Sequence, residues 1–272
     1  MPELPEVETI RRTLEPLVVG RRIVDLEVRC AALRWPLAAD LRERLRGRIV
    51  VSLDRRAKYL LARLEGGSVW LIHFGMSGRL IHTRGAAAHP QKHDHVIVTL
   101  SDGGCLTFND PRRFGFMRLE DGDDPRSFEG LGPEALDAGA FDVEHLFGAA
   151  RKTRRAIKDV LMDQRVVAGL GNIYVNEALY LAAVRPGRAA RRLTRAECGR
   201  VVAAVRSVLA EAIEHRGSTV SDFLDGIGRR GGYQWRRRVY DRRGEPCPAC
   251  ETPIKSVVIG QRSSFYCPRC QR

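Results

Sequence analysis

The chain has 272 residues, enough for two domains of ordinary size, each burying its own core, plus a small appended module. Hydrophobic residues make up 44% of it, and no apolar run approaches the roughly 18 residues a helical membrane span requires, so a soluble protein is expected. Lys and Arg number 46 against 33 Asp and Glu, a net charge of +13, and the excess gathers in arginine clusters such as Arg154-Arg155 and residues 236–238. A polyanion is the natural partner of such a chain, although a merely soluble basic surface carries the same sign.

The N-terminus reads Met1-Pro2-Glu3-Leu4-Pro5-Glu6, acidic and broken by prolines, the opposite of a basic, apolar-centred secretion signal; a cytoplasmic location is expected. Leu4, Val7, Ile10, Leu14 and Leu17 then recur at three- and four-residue intervals, which predicts an amphipathic helix over residues 3–18 that ends at Gly20. From 22 to about 119 the pattern changes to short β-rich runs, among them 69–72, 96–100 and 105–108, separated by Gly and Asp turns. Residues 122–139 are rich in Gly, Asp and Pro and lack periodicity, as a linker would.

Helical periodicity resumes over 143–150, 156–162, 173–181 and a long stretch from about 194 to 214, predicting a helical bundle. Between two of its helices, Val167-Ala168-Gly169-Leu170-Gly171-Asn172-Ile173 forms a glycine loop whose backbone amides suit a phosphate at a helix start. Residues 226–244, dense in Gly and Arg, read as a flexible basic strap leading into a cysteine module. The domains expected are therefore 1–121, a linker over 122–140, a helical domain over 141–225, and strap plus finger over 226–272.

Seven cysteines without a leader argue against a disulfide framework. Cys30, Cys105 and Cys198 sit among apolar neighbours as small core residues. Cys247-Pro-Ala-Cys250 and Cys267-Pro-Arg-Cys270, sixteen residues apart, match two thiolate knuckles closing one tetrahedral site for a structural Zn²⁺. With four protein ligands such a site holds no position for water and is not catalytic. Between the knuckles, Gly260-Gln261-Arg262-Ser263-Ser264 is expected to be a polar turn whose single cation is either a phosphate contact or simply solvated. His73, His82, His89, His93 and His95 match no compact ligand spacing.

Removal of Met1 would leave Pro2 as a secondary amine at a helix start, a nucleophile whose iminium adduct cannot lose its charge by N-deprotonation and so serves as an electron sink. Glu3 adjoins that amine and Glu6 lies one turn on, so a carboxyl group is at hand to move protons. The same residues also make an ordinary helix start, with proline early and acids favoured by the dipole. Asp110-Pro111-Arg112-Arg113 likewise reads as a Pro-initiated turn with solvated arginines, and Lys58 as a solvated charge or a phosphate attractor.

The block Pro2-Glu3-Leu4-Pro5-Glu6-Val7-Glu8-Thr9 does not stand alone. With Asp54-Arg55-Arg56-Ala57-Lys58-Tyr59-Leu60, His73-Phe74-Gly75-Met76-Ser77-Gly78, Asn109-Asp110-Pro111-Arg112-Arg113-Phe114-Gly115, Gly169-Leu170-Gly171-Asn172-Ile173-Tyr174 and the finger, the chain closely resembles the formamidopyrimidine-DNA glycosylases, bifunctional enzymes for oxidised purines. The blocks span nearly the whole chain. The resemblance implies an α+β fold: an N-terminal β-sandwich domain with its helix, a C-terminal helix-two-turn-helix bundle and a four-cysteine zinc finger, with damaged double-stranded DNA lying between domains and the protein acting as a monomer, nucleoid-associated when bound.

It also implies that Pro2 forms the Schiff base with the sugar C1′, that Glu3 is the proton donor, that Lys58 serves β-elimination and that Arg262 assists δ-elimination. Met76, Arg112 and Phe114 would fill the gap left by the everted base, with Arg112 facing the orphaned cytosine. His93, Arg113, Lys158 and Asn172 would contact phosphates, supported by the stretch Lys152-Thr153-Arg154, and residues 217–223 would cap the base. Tyr240-Asp241-Arg242 replaces the family's usual Tyr-Gly-Arg, and Phe74 stands where Leu is common; neither touches the expected chemistry. Two rivals remain: the sister glycosylase for oxidised pyrimidines, which shares Pro-Glu but usually continues with Gly where Leu4 stands, and a noncatalytic zinc-finger DNA-binding protein.

Overall fold

The computed structural model describes residues 2–85, 90–122, 126–220 and 222–272. Met1, His89, Ser221 and residues 123–125 of the expected linker lie outside the described residues. The chain forms two compact units, Met1–Glu129 with His215–Gln234, and Gly130–Glu214 with Trp235–Arg272.

The first unit opens on α1 (Leu4–Val18), which buries the predicted Leu4, Val7, Ile10 and Leu14 and closes the stripe with Val18, the predicted Leu17 being only partly buried. Then follow β1 (Ile23–Val28), a short α2 (Leu41–Leu45), β2 (Val50–Arg56), β3 (Tyr59–Leu64), β4 (Ser68–His73), β5 (Arg79–Thr83), β6 (Asp94–Leu100), β7 (Cys105–Asn109) and β8 (Phe116–Asp121). These strands make two four-stranded antiparallel sheets, ordered β1-β6-β7-β5 and β2-β3-β4-β8. Leu26, Val96, Val98 and Phe108 from one sheet and Leu53, Leu60, Ile72 and Met117 from the other share one core with the α1 stripe, which is the expected β-sandwich.

Residues 215–234, expected as the end of the helical domain up to 225 and the start of the strap beyond it, group with the sandwich unit. The reason is close backbone approach: the Gly226 amide donates to Thr13 Oγ at 3.0 Å, its carbonyl accepts from the His82 amide at 2.8 Å, and a Cβ on Gly226 would lie 2.5 Å from Leu14. Nor is this half of the predicted strap a loose tether. Asp225, 1% exposed, accepts the Ile227 and Arg229 amides at 3.0 and 2.8 Å and pairs with Arg216.

The second unit contains α3 (Val143–Arg151), α4 (Ile157–Met162), α5 (Asn172–Leu181) and α6 (Arg195–Glu214), each within a residue or so of its apolar periodicity. Asp142 caps α3 by accepting the His145 amide at 2.8 Å. From Ile173 to Tyr180 every residue of α5 is buried, so it is the central helix of this unit. The expected linker contains a short 3₁₀ turn at Arg126–Phe128, and its second part is bound to the bundle, since the Ala168 amide donates to the Pro133 carbonyl at 2.8 Å and Ala135 is fully buried.

The finger supplies the hairpin β9 (Lys255–Ile259) and β10 (Arg262–Tyr266). Its core is small: Val239, Cys247, Ile254, Phe265 and Cys267, closed by Tyr180 of α5. The second half of the predicted strap is held too. The fully buried Glu177 of α5 accepts the amides of Arg238, Val239 and Tyr240 at 2.8, 2.9 and 2.8 Å.

Candidate active site and nucleic-acid interface

In the first unit the site begins at the start of α1. Pro2 and Glu3 are buried, and Glu3 is the N-cap of a capping box in which its side chain accepts the Glu6 amide while the Glu3 amide donates to Glu6 Oε2 at 2.8 Å. The other oxygen of Glu6 accepts the Ser218 amide at 2.7 Å. Glu6, one of two carboxyls the sequence offers for proton transfer, is therefore occupied in tying the base-capping segment 217–220 to the helix start. Gly217 makes this possible: at φ +72° it sits where a Cβ would lie 2.8 Å from Glu6 Oε1.

Lys58 lies in the two-residue turn between β2 and β3, beside Ala57 at φ 52°, a left-handed conformation that costs energy for a residue with a side chain. A relay from α1 holds that turn. Glu8 accepts from Arg55 Nε at 3.2 Å, and Arg55 Nη1 donates to the Ala57 carbonyl at 3.0 Å. Burial works against the charge on Glu8, but hydrogen bonds from Arg11 and Arg12 and the charges of Arg11 and Arg55 outweigh it, and the carboxyl lies below its ordinary range. Lys58 is only 6% exposed. Loss of hydration, then the positive charges of Lys58 and Arg34, push His73 down to about 4, so the imidazole is neutral; its Nδ1 accepts the Gly75 amide at 3.1 Å and its ring stacks on Phe116 at 5.0 Å.

Two exposed loops meet nearby in the same unit. A Cβ on Gly75, at φ +58°, would lie 2.2 Å from the Phe114 carbonyl carbon, so the Met76 loop and the Arg112–Phe114 turn run in backbone contact. Met76 and Phe114 are 41% and 45% exposed, and the Arg112 guanidinium lies 4.8 Å from the Phe114 ring centroid. The turn hangs on Asp110, which is fully buried: Oδ1 accepts from Ser77 Oγ at 2.6 Å and Oδ2 from the Gly115 amide at 2.7 Å. Arg113 takes φ 54° at this turn. His93 is partly buried and accepts the Asp110 amide on its carbonyl at 3.0 Å, which sets it at the same turn. Met76, His93, Arg112, Arg113 and Phe114 are thus brought together.

In the second unit Lys158 and Asn172 converge on the finger. Lys158 Nζ donates to the Ser263 carbonyl at 2.9 Å and Ser264 Oγ at 2.6 Å, and Asn172 Nδ2 donates to the same carbonyl at 3.0 Å. At 1% exposure Lys158, for which the resemblance implies a phosphate contact, sits as a buried brace of β10. Arg262 is exposed and opens β10 instead of sitting at the hairpin tip; the tip is Gly260-Gln261, at φ 54° and 61°, as a two-residue turn with both residues left-handed requires. Thr153 is partly buried, its Oγ accepting the Arg155 amide at 3.2 Å.

Cys247, Cys250, Cys267 and Cys270 place their sulfurs within 4.8 Å of one another, with Cys250 3.5 Å from Cys267 and 3.4 Å from Cys270, and Cys247 3.9 Å from Cys270. A tetrahedron with metal–sulfur bonds of about 2.3 Å has edges near ~3.8 Å, so the set fits one structural Zn²⁺. Cys105 and Cys198 are buried and Cys30 partly so. The sequence reading gave none of the buried acids Glu6, Glu8, Asp110, Glu177 and Asp225 a positioning role, naming Glu6 only as a carboxyl for proton transfer. Only Asp110 had a local signal, an acid directly before Pro111 that favours a side-chain-to-backbone turn.

A β-sandwich with Pro2-Glu3 at the start of its first helix, a helical unit and a four-cysteine finger are the three parts that the resemblance to helix-two-turn-helix DNA glycosylases implies. Three family models cover the chain: the formamidopyrimidine-DNA glycosylase N-terminal domain over residues 1–117, the H2TH domain of the same glycosylase over 131–224, and the zinc finger found in FPG and IleRS over 244–272. The chain belongs to the formamidopyrimidine-DNA glycosylase family. It is 51% identical over 276 residues to the formamidopyrimidine-DNA glycosylase of Thioalkalivibrio sulfidiphilus and 46% over 275 to that of Methylococcus capsulatus, covering all of both chains in each case. Among solved structures it is similar to the Thermus thermophilus MutM (Fpg) protein, at TM-score 0.87 and 41% identity over 99% of this chain and 98% of that one. The Lactococcus lactis Fpg in complex with abasic-site DNA matches at TM-score 0.92 and 31% identity over the whole of both chains.

Proposed function

We propose that the protein is a base-excision repair enzyme that binds damaged duplex DNA, removes oxidised purines and cleaves the strand at the resulting abasic site. Pro2, once Met1 is removed, attacks C1′ through its amine; the bond from C1′ to the base breaks, and Glu3 supplies a proton as the sugar ring opens. The iminium on Pro2 then draws electrons as a C2′ proton leaves and the 3′ phosphate is expelled, with Lys58 serving this β-elimination. A second elimination expels the 5′ phosphate, with Arg262 assisting. Met76, Arg112 and Phe114 fill the gap left by the everted nucleotide. His93, Arg113, Thr153 and Asn172 steady phosphates, with Lys158 acting through the finger strand it braces. The enzyme works as a monomer in the cytoplasm, nucleoid-associated when on DNA; no described helix is long and apolar enough to cross a membrane.

The observation that carries this reading is the buried Pro2-Glu3 start, where Glu6 engages the Glu3 and Ser218 amides and so fixes the backbone next to Pro2. The test is borohydride trapping on an 8-oxoguanine:cytosine duplex. A covalent adduct is expected with processed protein and none with Pro2→Gly or with protein retaining Met1. Tight lesion binding without any adduct would transfer the assignment to noncatalytic DNA binding, and trapping confined to an oxidised-pyrimidine duplex would transfer it to the sister glycosylase.

A further inference from the structure

Beside Arg262 the finger hairpin carries an apolar strip that none of the chemistry above uses. In its antiparallel register Val257 lies opposite Ser264, Ile259 opposite Arg262 and Lys255 opposite Tyr266, so Val257, Ile259 and Tyr266 share one side. They floor a groove of about 760 Å³ whose other wall is the loop 185–189 with Pro186. This volume falls in the range of sites that take a small ligand or a few residues of peptide, roughly 300–1,000 Å³. The floor is apolar and partly open to solvent: Val257 is 44% exposed.

Four arginines surround it: Arg185, Arg188, Arg192 and Arg272. Arg188 is already neutralised by Glu197, at 2.6 and 3.1 Å. Arg185 instead lies 5.2 Å over the Tyr266 ring, and its amide donates to the Arg272 carbonyl at 2.9 Å, which holds the rim together. Among the described residues that line the groove none carries an acidic side chain. Cations at a rim over an apolar floor are complementary to an anionic chain that also presents apolar side chains. A sugar-phosphate backbone satisfies the rim but leaves Val257, Ile259 and the tyrosine ring without a partner, whereas an acidic peptide with an aliphatic or aromatic residue satisfies both.

We infer that this groove is a docking site for an acidic segment of a partner protein, carrying at least one leucine- or phenylalanine-like side chain among its carboxylates. DNA is the competing occupant, because Arg262 belongs to the same hairpin face.

The probe is a fluorescein-labelled hexapeptide of four aspartates, one leucine and one phenylalanine, titrated by anisotropy into the zinc-loaded full-length protein. Binding in the micromolar range is expected, weakened about tenfold or more by Arg185→Glu and by Val257→Asp, and about tenfold weaker for a hexapeptide of six aspartates. Zinc content and thermal midpoint establish that each variant is folded, and Val257→Asp is the safer one because the side chain is exposed. The peptide is expected to bind equally well when the protein is saturated with lesion duplex. Equal affinity for the all-aspartate peptide, binding untouched by both substitutions, or displacement by the duplex would each overturn the proposal, the last by giving the groove to DNA.

Discussion

The sandwich and the finger position their functional side chains by different means. In the sandwich, Lys58 and the Met76 and Phe114 loops sit on a framework with a large shared core, and buried carboxylates do the fine placement by accepting backbone amides: Glu6 for Glu3 and Ser218, Asp110 for Gly115. In the finger only a handful of buried apolar residues stand behind Arg262, and the four cysteines must close a metal site for the hairpin to hold its shape. Buried charges from the helices, Glu177 and Lys158, also brace the finger from outside, but its own small core still needs metal bonds.

The largest effect that would break this contrast is metal removal. Structural zinc is worth about 10–16 kcal/mol to a finger of this size, so chelation or Cys267→Ser should abolish amide-exchange protection between 247 and 270 while the sandwich amides keep theirs. Strand cleavage should fall by about 10² or more as Arg262 is released. Sandwich amides that lose protection together with the finger would show that the two regions do not differ as argued.

Next in size is Asp110→Ala. It leaves the Ser77 hydroxyl and Gly115 amide facing a void, and each buried polar group so orphaned typically costs about 1–3 kcal/mol. A thermal midpoint lower by roughly 10 °C is expected by scanning fluorimetry, with zinc content unchanged.

Lys158→Met is smaller, about 1–3 kcal/mol, because it strips two donors from β10 but keeps the aliphatic stem in place. Its signature is faster amide exchange at 262–264 and salt dependence of DNA binding close to wild type, since a brace releases no counterions. A slope reduced by about one unit would instead make Lys158 a direct phosphate contact.

A further effect is protonic and shows only as the pH is lowered. His73 has its folded value depressed to about 4 from an ordinary value near ~6.5, so the unfolded chain binds more protons between those limits. The stability it contributes is therefore present above about pH 6.5 and is lost as pH falls towards 4. The thermal midpoint should decline over that window, and His73→Asn should flatten the decline; an unaltered profile would mean the imidazole is not the group titrating.

Short-range patterns determined much of this molecule. The helical stripe of α1, the alternating strands, the periodicity of α3 to α6 and the two Cys-x-x-Cys knuckles are written in spacings of two, three or four residues, which is the scale on which backbone geometry repeats. The block containing Pro2 and Glu3, Met76 and the Arg112–Phe114 turn were singled out only by resemblance to a family, since spacing alone reads them as an ordinary helix start and a Pro-initiated turn. Only tertiary structure decided that residues 215–234 lie on the sandwich, that Glu6 holds the Ser218 amide, that Glu8 reaches the Lys58 turn through Arg55, and that Lys158 is an internal brace. Each of the last three depends on a charged side chain whose partner lies far along the chain and whose burial is set by packing. A charge in sequence reads as solvated until a core is shown to enclose it.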